Sequence, residues 1–169
     1  MNRSKSVKVS FHTFVKCMLK SGEHIEEPFY MIEDVIGYIS SISDKRKRYY
    51  ELKGGKFCFI DSINKETIDE NVTLFMGVCK SARNEFRPNL INKKTGNERK
   101  NTKELSEGDI ELTHFLLKIT RFDDEVYLLL ERNHNGVTHL NFTNYISEFT
   151  KKYLAKKGFF SYKNGCSYE

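Results

Sequence analysis

Two acidic residues stand at the ends of apolar segments, where a carboxylate could reach a divalent metal ion. Asp61 closes FCFID and Glu131 closes YLLLE. A metal-dependent nuclease needs two or three such carboxylates converging on one ion. Neither residue precedes the E-x-K spacing of restriction-type nucleases. Nuclease chemistry at Asp61 and Glu131 is one alternative. The other is a Glu131 that accepts hydrogen bonds from a hairpin backbone or pairs with an arginine.

Basic residues are clustered along the chain rather than spread evenly. Four stand together as KRKR at 45–48, and positions 80–103 carry eight basic residues against two acidic ones. Such clusters are typical of proteins that bind polyanions, although solvated loops and helix faces also carry them. We predict a nucleic-acid-binding surface, for DNA rather than RNA, formed by these residues: Lys45, Arg46, Lys47, Arg48, Arg83, Arg87, Lys93, Lys94, Arg99, Lys100 and Arg132.

The segment ERNHNG at 131–136 concentrates hydrogen-bonding side chains at one point of the chain. Asn135–Gly136 is the pair that type I′ turns favour, because both central residues of that turn have positive φ. Turn chemistry predicts a hairpin here and accounts for both residues. It does not account for Arg132, which suits either a phosphate contact or a surface strand end.

Motifs for metals and cofactors are missing from the sequence. The five histidines do not share the spacing of ligands on one helix, and His114 and His139, both on predicted strands, are expected to be sheet neighbours with structural roles. The four cysteines are widely spaced without a C-x-x-C pair, so we expect reduced core residues rather than a zinc site. There is no glycine-rich phosphate loop. We therefore expect no cofactor and no metal, and favour a non-catalytic protein, with the nuclease kept as the alternative.

Hydrophobic periodicity predicts the elements that would carry these residues. Helical spacing marks 29–42 and 143–157, the second helix with Thr143 as its N-cap. Strand patterns occur in seven segments: VKVSFHTF, RYYEL, KFCFID, NVTLFMGVCKS, IELTHFLLKITRF, EVYLLLER and VTHLNF. The last two are predicted to pair as a hairpin, Val126–Glu131 with Val137–Phe142. Short links between strands predict an α+β fold, a mostly antiparallel sheet of about six to seven strands with two main helices packed on it.

Two segments fall outside this pattern. Residues 82–108 carry eleven charges and few apolar anchors, so we predict a long, irregular and exposed loop. Residues 159–169 contain Phe159, Phe160 and Tyr162 and predict an exposed aromatic tail, as the start of a further C-terminal region or as a contact for a protein partner or a second copy. Residues 1–158 are predicted to form a single domain.

Size and hydropathy limit the class of protein. The chain has 169 residues, of which 38% are hydrophobic and 30% charged. No apolar run approaches the roughly 18 residues that a membrane-spanning helix needs. The first residues alternate polar and apolar types instead of forming a signal-peptide core. We expect a cytoplasmic protein without a membrane partner.

The order of motifs resembles the N-terminal domain of bacterial phage-defence and abortive-infection proteins of the RexA phage-exclusion kind. The resemblance covers roughly Ser6 to Leu154 and rests on three motifs: R-x-x-x-R-P at 83–88, T-H-F at 113–115 and E-R-N-x-N-G at 131–136. It implies DNA binding and a role in sensing or blocking phage. Those proteins are longer, which implies that this chain is part of one. It assigns no catalytic residue.

Three classes of function follow from these observations. The first is a non-catalytic nucleic-acid-binding domain of a phage-defence protein, held to phosphates by dispersed positive charge. Tyr49, Tyr50 and Phe86 would stack on bases if the ligand is single-stranded, or belong to the core. The second is a protein-interaction or self-association domain that uses the aromatic tail and a sheet edge. The third is the metal-dependent nuclease.

Overall fold

The structure is a computed structural model that describes residues 7–14, 32–83, 88–104, 107–120 and 125–158. Its elements follow the chain in this order: β1 Val9–Phe14, α1 Ile32–Ser41, a 3₁₀ helix Lys45–Arg48, β2 Tyr50–Leu52, β3 Lys56–Thr67, β4 Val72–Arg83, β5 Leu90–Ile91, β6 Glu98–Arg99, β7 Asp109–Thr120, β8 Glu125–Glu131 and α2 His139–Lys156. Across these ranges, no helix is both long and apolar enough to pass through a bilayer. The predicted aromatic tail, 159–169, lies outside the described residues.

Six strands form one antiparallel sheet in the order β1-β8-β7-β4-β3-β2, and β5 and β6 form a separate two-stranded sheet. The central strands β3, β4 and β7 each have twelve residues, which is long for a globular sheet. Among the described residues, α1 and α2 complete the domain. The α+β prediction is confirmed.

Alternation along the strands divides the sheet into two faces. In β7, Thr113, Phe115, Leu117 and Ile119 are buried, while the residues between them are exposed or half-buried. Successive side chains of a strand point to opposite sides, so this pattern assigns one face to the core. We call it the inner face and the opposite one the outer face.

The two helices cover the inner face. Their fully or nearly buried side chains join the strand residues in one cluster: Val35, Ile36 and Ile39 from α1, and Phe142, Tyr145, Ile146 and Phe149 from α2. The Tyr145 hydroxyl accepts a hydrogen bond from the Ile60 amide at 3.4 Å, and burial raises the pKa of that hydroxyl. Burying each of these side chains contributes about 1.5–3 kcal/mol, so the helices are held mainly by these apolar stripes.

A β-bulge in β3 breaks the alternation at one position. Ile60 is paired with Cys79 and Ser62 with Val78, which leaves Asp61 as the extra residue between them. Because of the bulge, Ile60 and the half-buried Ile63 both contribute to the core although they are three residues apart. Asp61 follows the inward Ile60 and lies on the outer face, as Ser62 does after the bulge.

The predicted strand Val137–Phe142 and its hairpin with β8 are wrong. Residues from His139 onward are helical, and the N-cap is Thr138, whose hydroxyl accepts a hydrogen bond from the Asn141 amide at 3.2 Å, so Thr143 is not the cap. Phe142 falls at helical spacing with Tyr145 and is fully buried. Six residues are too few to separate a period of two from a period of 3.6, and burial of Phe142 decides for the helix.

The predicted type I′ turn at Asn135–Gly136 is also wrong, because φ of Gly136 is not positive. The small side chain is needed here for space: a Cβ on Gly136 would overlap the Thr113 hydroxyl. That hydroxyl accepts a hydrogen bond from the Val137 amide at 2.9 Å. Residues 132–138 therefore form a loop that packs against the end of the sheet and leads into α2.

The prediction of an irregular segment at 82–108 is only partly right. Most of its described residues are exposed, but Ala82 is a buried residue of β4, and β5 and β6 form an ordered hairpin. The hairpin depends on local hydrogen bonds of asparagine and on Gly96 with φ of +72°. Such turn signals need no apolar residues, which is why the apolar pattern did not reveal them.

Candidate nucleic-acid interface

A cavity of about 480 Å³ opens on the outer face, next to the β-bulge. We call it the outer-face cavity. Three aromatic residues form one wall, Tyr49, Phe57 and Phe59. Phe57 and Phe59 alternate on β3, so both point to this face, and Tyr49 joins them from the end of the 3₁₀ helix. The wall is thus built by adjacent segments, although the floor comes from β4 and β7.

The aromatic side chains pack on one another. The Tyr49 ring is stacked on Phe57 with 5.0 Å between centroids and is 4.7 Å from the centroid of Phe59. Tyr49 is 41% exposed, whereas Phe59 is 9% exposed. Phe57 and Phe59 therefore support the Tyr49 ring, which is the member of the group most open to solvent.

Charged side chains surround this wall. Asp61 accepts hydrogen bonds from Lys45 at 2.5 Å and from Lys80 at 2.9 Å, one on each carboxylate oxygen. Hydrogen bonds from Lys45 and then Lys80 lower the pKa of the Asp61 carboxyl. Lys103 also lines the cavity and forms an ion pair with Asp109. Glu107 is the other acid in the lining, so with Asp109 the three lysines stand against three carboxylates.

Arg48, the last residue of the KRKR run, connects α1 to β3 through hydrogen bonds to backbone carbonyls. Its guanidinium donates to the carbonyls of Ile42 at 2.8 Å and Ser40 at 3.1 Å, at the C-terminal end of α1. It also reaches the carbonyls of Ile60 at 3.3 Å and Asp61 at 3.4 Å, at the bulge. The two carbonyls at the end of α1 lie beyond its hydrogen-bond ladder. Arg48 therefore joins α1 to β3, and all three of its guanidinium nitrogens donate to carbonyls.

The other residues of the run differ from one another. Arg46 is paired with Asp44 at 3.1 Å in an exposed ion pair, and Asp44 caps the 3₁₀ helix by accepting from the Arg46 amide. Lys45 belongs to the outer-face cavity. Lys47 is exposed. The KRKR run therefore presents Lys45 and Lys47 to a ligand, Arg46 beside an acid, and Arg48 inward.

The β5–β6 hairpin, residues 90–99 with Lys100 at its end, is a basic element whose residues are all exposed. Its turn is held by Asn92, whose side-chain oxygen accepts from the amides of Lys94 at 2.9 Å and Thr95 at 3.3 Å. The Gly96 amide donates to the Asn92 carbonyl at 2.8 Å, and the Asn92 amide to the Asn97 carbonyl at 2.8 Å. These local hydrogen bonds hold the turn without help from the side chains of Lys93 and Lys94, which extend into solvent. We call this element the basic hairpin.

Four predicted binding residues lie on the basic hairpin. Lys93 and Lys94 are in its turn, while Arg99 and Lys100 are at the end of β6, and all four are exposed. Glu98 is the one acid between positions 88 and 101. Within the described ranges, none of the four cations forms an ion pair with a carboxylate. Their charge is therefore available to a ligand.

Three predicted binding residues lie elsewhere. Arg83 ends β4, opposite Lys56 and Asp109, and lines a second cavity of about 240 Å³ with Glu111 and other residues. By register, Arg83 belongs to the inner-face rows. Arg132 is exposed beyond β8, where its amide donates to the Lys8 carbonyl at 2.8 Å. Arg87 lies outside the described residues.

The polar groups of the loop ERNHNG at 131–136 hold it to the sheet and do not form a binding site of their own. The Asn135 carbonyl accepts hydrogen bonds from the Lys56 ammonium at 2.7 Å and the Ser81 hydroxyl at 3.3 Å. The Asn133 side chain donates to the Leu112 carbonyl. These bonds hold the loop against β3, β4 and β7. They fix its position in place of the strand pairing that was predicted for residues 137–142.

The two carboxylates considered for a nuclease are not brought together. Asp61 on β3 and Glu131 on β8 share the outer face but are separated by β4 and β7, about 14 Å at the usual strand spacing. Glu131 accepts from the amide of His114 at 3.0 Å and from its ring Nδ1 at 2.6 Å. The amide bond and then the ring bond lower the pKa of the Glu131 carboxyl. Its main partner is thus His114 of β7, with the Asn133 side chain as a further one, and not an arginine or the backbone of the predicted 126–142 hairpin.

Contacts or burial within the fold account for five of the described histidines and cysteines: His12, His114, His139, Cys58 and Cys79. His139 is helical and lies against His12, with ring centroids 4.5 Å apart, so it is not a sheet neighbour of His114. Cys58 and Cys79 are buried free thiols, as expected. Burial raises the pKa of Cys58 to about 12 and raises that of Cys79. Within the part of the chain that the structure describes, no group of three or more His, Cys, Asp or Glu side chains is arranged to hold a metal.

Reasoning from sequence missed four residues of the outer-face cavity: Phe57, Phe59, Lys80 and Lys103. The alternation of FCFID could have assigned Phe57 and Phe59 to the face opposite Cys58. Tyr49 was identified, Tyr50 packs against the core beside Tyr145, and Phe86 lies outside the described residues. Nothing local to Lys80 or Lys103 places them beside Tyr49.

The fold and the site define an α+β domain with an exposed basic hairpin and a lysine-rimmed aromatic cavity. Comparisons with protein-family models, curated proteins and solved structures find no match to this chain. The similarity to phage-exclusion proteins therefore remains a prediction from three short motifs, and the function has to be argued from the site.

Proposed function

We propose that this chain is a non-catalytic nucleic-acid-binding domain that engages phosphates mainly through the basic hairpin. The observation that carries the proposal is the ordered turn with Lys93 and Lys94 at its tip and Arg99 and Lys100 at its base, all exposed and unpaired within the described ranges. A two-stranded ribbon with basic side chains fits a DNA groove. Phosphate contacts give affinity with little sequence preference.

Further positive charge supports binding beyond the hairpin. Lys45 and Lys103 line the outer-face cavity, and Lys47 lies on the same 3₁₀ helix as Lys45. The whole chain has a net charge of +5. With roughly five to seven phosphate contacts in total, affinity should fall on the order of a thousandfold between 50 and 200 mM salt. The resemblance to phage-exclusion proteins adds the proposal that the ligand is DNA and that binding serves phage defence in the cytoplasm.

The test is a salt titration of binding to one random 20-base-pair duplex, followed by fluorescence anisotropy. The double variant Lys93→Gln/Lys94→Gln removes two contacts, so the slope of log affinity against log salt should become shallower by about 1.8. The matched control is Lys156→Gln/Lys157→Gln at the end of α2, which removes the same charge from another exposed element. Its slope should remain close to that of the unchanged protein.

Two results would contradict the proposal. No binding of either a duplex or a single strand by the unchanged protein at 50 mM salt would remove it. Equal loss in the hairpin and control variants would show a response to net charge alone, without a contact surface at the hairpin.

A second candidate function, protein interaction or self-association, is favoured by exposed apolar side chains on the outer face. Val9 is 55% exposed and Phe11 62% exposed, on the edge strand β1. Apolar groups at a sheet edge are a common contact surface. Light scattering after size-exclusion chromatography tests it: concentration-dependent mass that Phe11→Asp abolishes would support this function, and a constant monomer mass would contradict self-association.

A further inference from the structure

We propose that the outer-face cavity holds an unpaired base of a single-stranded nucleic acid against Tyr49. The proposal rests on the nucleic-acid binding proposed above and specifies its ligand. It assigns a different role to each of the two surfaces. The basic hairpin contacts phosphates of any strand, and the cavity binds a base that is not paired.

The aromatic wall has the geometry of a stacking platform. Tyr49 is 41% exposed, and its ring is supported by Phe57 at 5.0 Å and Phe59 at 4.7 Å between centroids. A ring supported in this way loses little side-chain freedom when a base stacks on it, because its position is already fixed. Every base has a π-face, so a platform of this kind binds without sequence preference.

The charges around the platform match a nucleotide strand rather than an apolar peptide. Lys45, Lys80 and Lys103 line the same cavity, where Asp61 pairs with Lys45 and Lys80, Asp109 pairs with Lys103, and Glu107 is a further acid. Lys45 remains 56% exposed, so a phosphate can compete with Asp61 for it. A strand whose base lies on Tyr49 carries a phosphate on each side of that base, within reach of lysines at the rim. Aromatic platforms combined with a positive groove are typical of proteins that bind single strands.

Asp61 positions the lysines instead of recognising the base. One of its oxygens accepts from Lys45 and the other from Lys80. The two ion pairs offset the charge of the carboxylate, which weakens it as an acceptor for an exocyclic amine. We therefore expect stacking on Tyr49 to contribute more than a hydrogen bond to Asp61, for purine and pyrimidine bases alike.

A single tryptophan can report on the platform directly, since the chain contains none. In Tyr49→Trp, a base stacked on the indole should quench its emission when a 12-nucleotide dT strand is added. A duplex of the same length should quench it far less, because its bases are already paired and stacked. The matched control is Phe11→Trp, an exposed aromatic position of the outer face outside this cavity, whose emission should not change.

Affinity provides the second readout. Tyr49→Ala should weaken binding of the dT strand roughly 5- to 20-fold, the lower part of the range for loss of one stacked base. Its affinity for the duplex should hardly change, and Tyr49→Phe should restore binding of the single strand because the ring is kept. This rescue would not be expected if the alanine variant acted only by unfolding the site.

The possible results separate this inference from the function on which it rests. If the unchanged protein binds neither ligand, the proposed function fails and the inference with it. If it binds both, while Tyr49→Ala binds the dT strand normally or the indole emission of Tyr49→Trp is not quenched by that strand, the inference alone is wrong and the basic hairpin remains the interface. Equal quenching in the Tyr49→Trp and Phe11→Trp variants would also overturn it.

Discussion

Replacing Arg48 with methionine should destabilise the protein, although the residue belongs to its most basic run. The guanidinium makes two hydrogen bonds of 2.8 and 3.1 Å to the end of α1 and two longer ones to the bulge in β3. Hydrogen bonds that involve a charged group contribute about 1.5–3 kcal/mol each. Arg48 is half-buried, so water replaces part of what is lost. We expect the free energy of unfolding to fall by about 2–4 kcal/mol.

Thermal and urea denaturation followed by circular dichroism would measure this change. For a chain of this size, such a loss lowers the melting temperature by about 5–15 °C. Arg48→Lys should recover only part of it, because an ammonium lacks the planar fork that reaches both segments at once. The matched control is Arg46→Met, because the ion pair of Arg46 with Asp44 is exposed and screened by solvent, so this variant should melt like the unchanged protein.

The same variants test whether Arg48 of the KRKR run contacts the nucleic acid. With its donors occupied by carbonyls, Arg48 should not contact phosphate, so Arg48→Met should keep the salt slope of the unchanged protein at a temperature where it is folded. The reasoning is refuted if Arg48→Met melts like the unchanged protein. It is refuted equally if the salt slope becomes shallower by about 0.9, the value for one lost duplex contact.

Three further predictions concern the bulge, a histidine pair and a glycine. Asp61→Asn should free two lysine ammonium groups from their carboxylate, so affinity for nucleic acid at 50 mM salt and the salt slope should both increase; an anisotropy titration that shows weaker binding would contradict this. Burial and then the neighbouring His139 lower the pKa of His12 below 6.5. Because the unfolded chain then binds the proton more readily, the free energy of unfolding should be level above about pH 6.5 and decrease as pH falls through the folded pKa. Urea titrations at each pH should show a flatter dependence for His12→Phe. A Cβ on Gly77 would overlap the Ser62 carbonyl oxygen and the Phe115 ring, so Gly77→Ala should cost about 1–3 kcal/mol, and an unchanged urea midpoint would contradict this.

Local patterns predicted the α+β class because each pattern lies within a single element. Phe115, Leu117 and Ile119 alternate within β7, and Val35, Ile36 and Ile39 have helical spacing within α1. Alternation and helical spacing arise from backbone geometry, so they can be recognised in a short window. The Gly54–Gly55 turn between β2 and β3 was predictable for the same reason, and both glycines have positive φ.

The segment after β8 shows where local patterns end. Val137–Phe142 fits both periods in part, and the choice depends on partners far along the chain: Phe142 packs with Phe115 at 5.1 Å between ring centroids, and the Val137 amide donates to Thr113. No window around residue 140 contains those partners. Burial of the Phe142 ring therefore overrode a weak local preference.

The amino-acid sequence by itself determined the positive charge of the chain and the turn of the basic hairpin, because both depend on neighbouring residues. Only the tertiary structure decided which basic residues are available: it turned Arg48 inward and placed Lys80 and Lys103 beside Tyr49. The β-bulge at Asp61 and the pairing of β3, β4 and β7 produce that arrangement. The physical reason is that side chains from strands distant in sequence meet only when sheet register is fixed, and register is set by burial of the whole inner face.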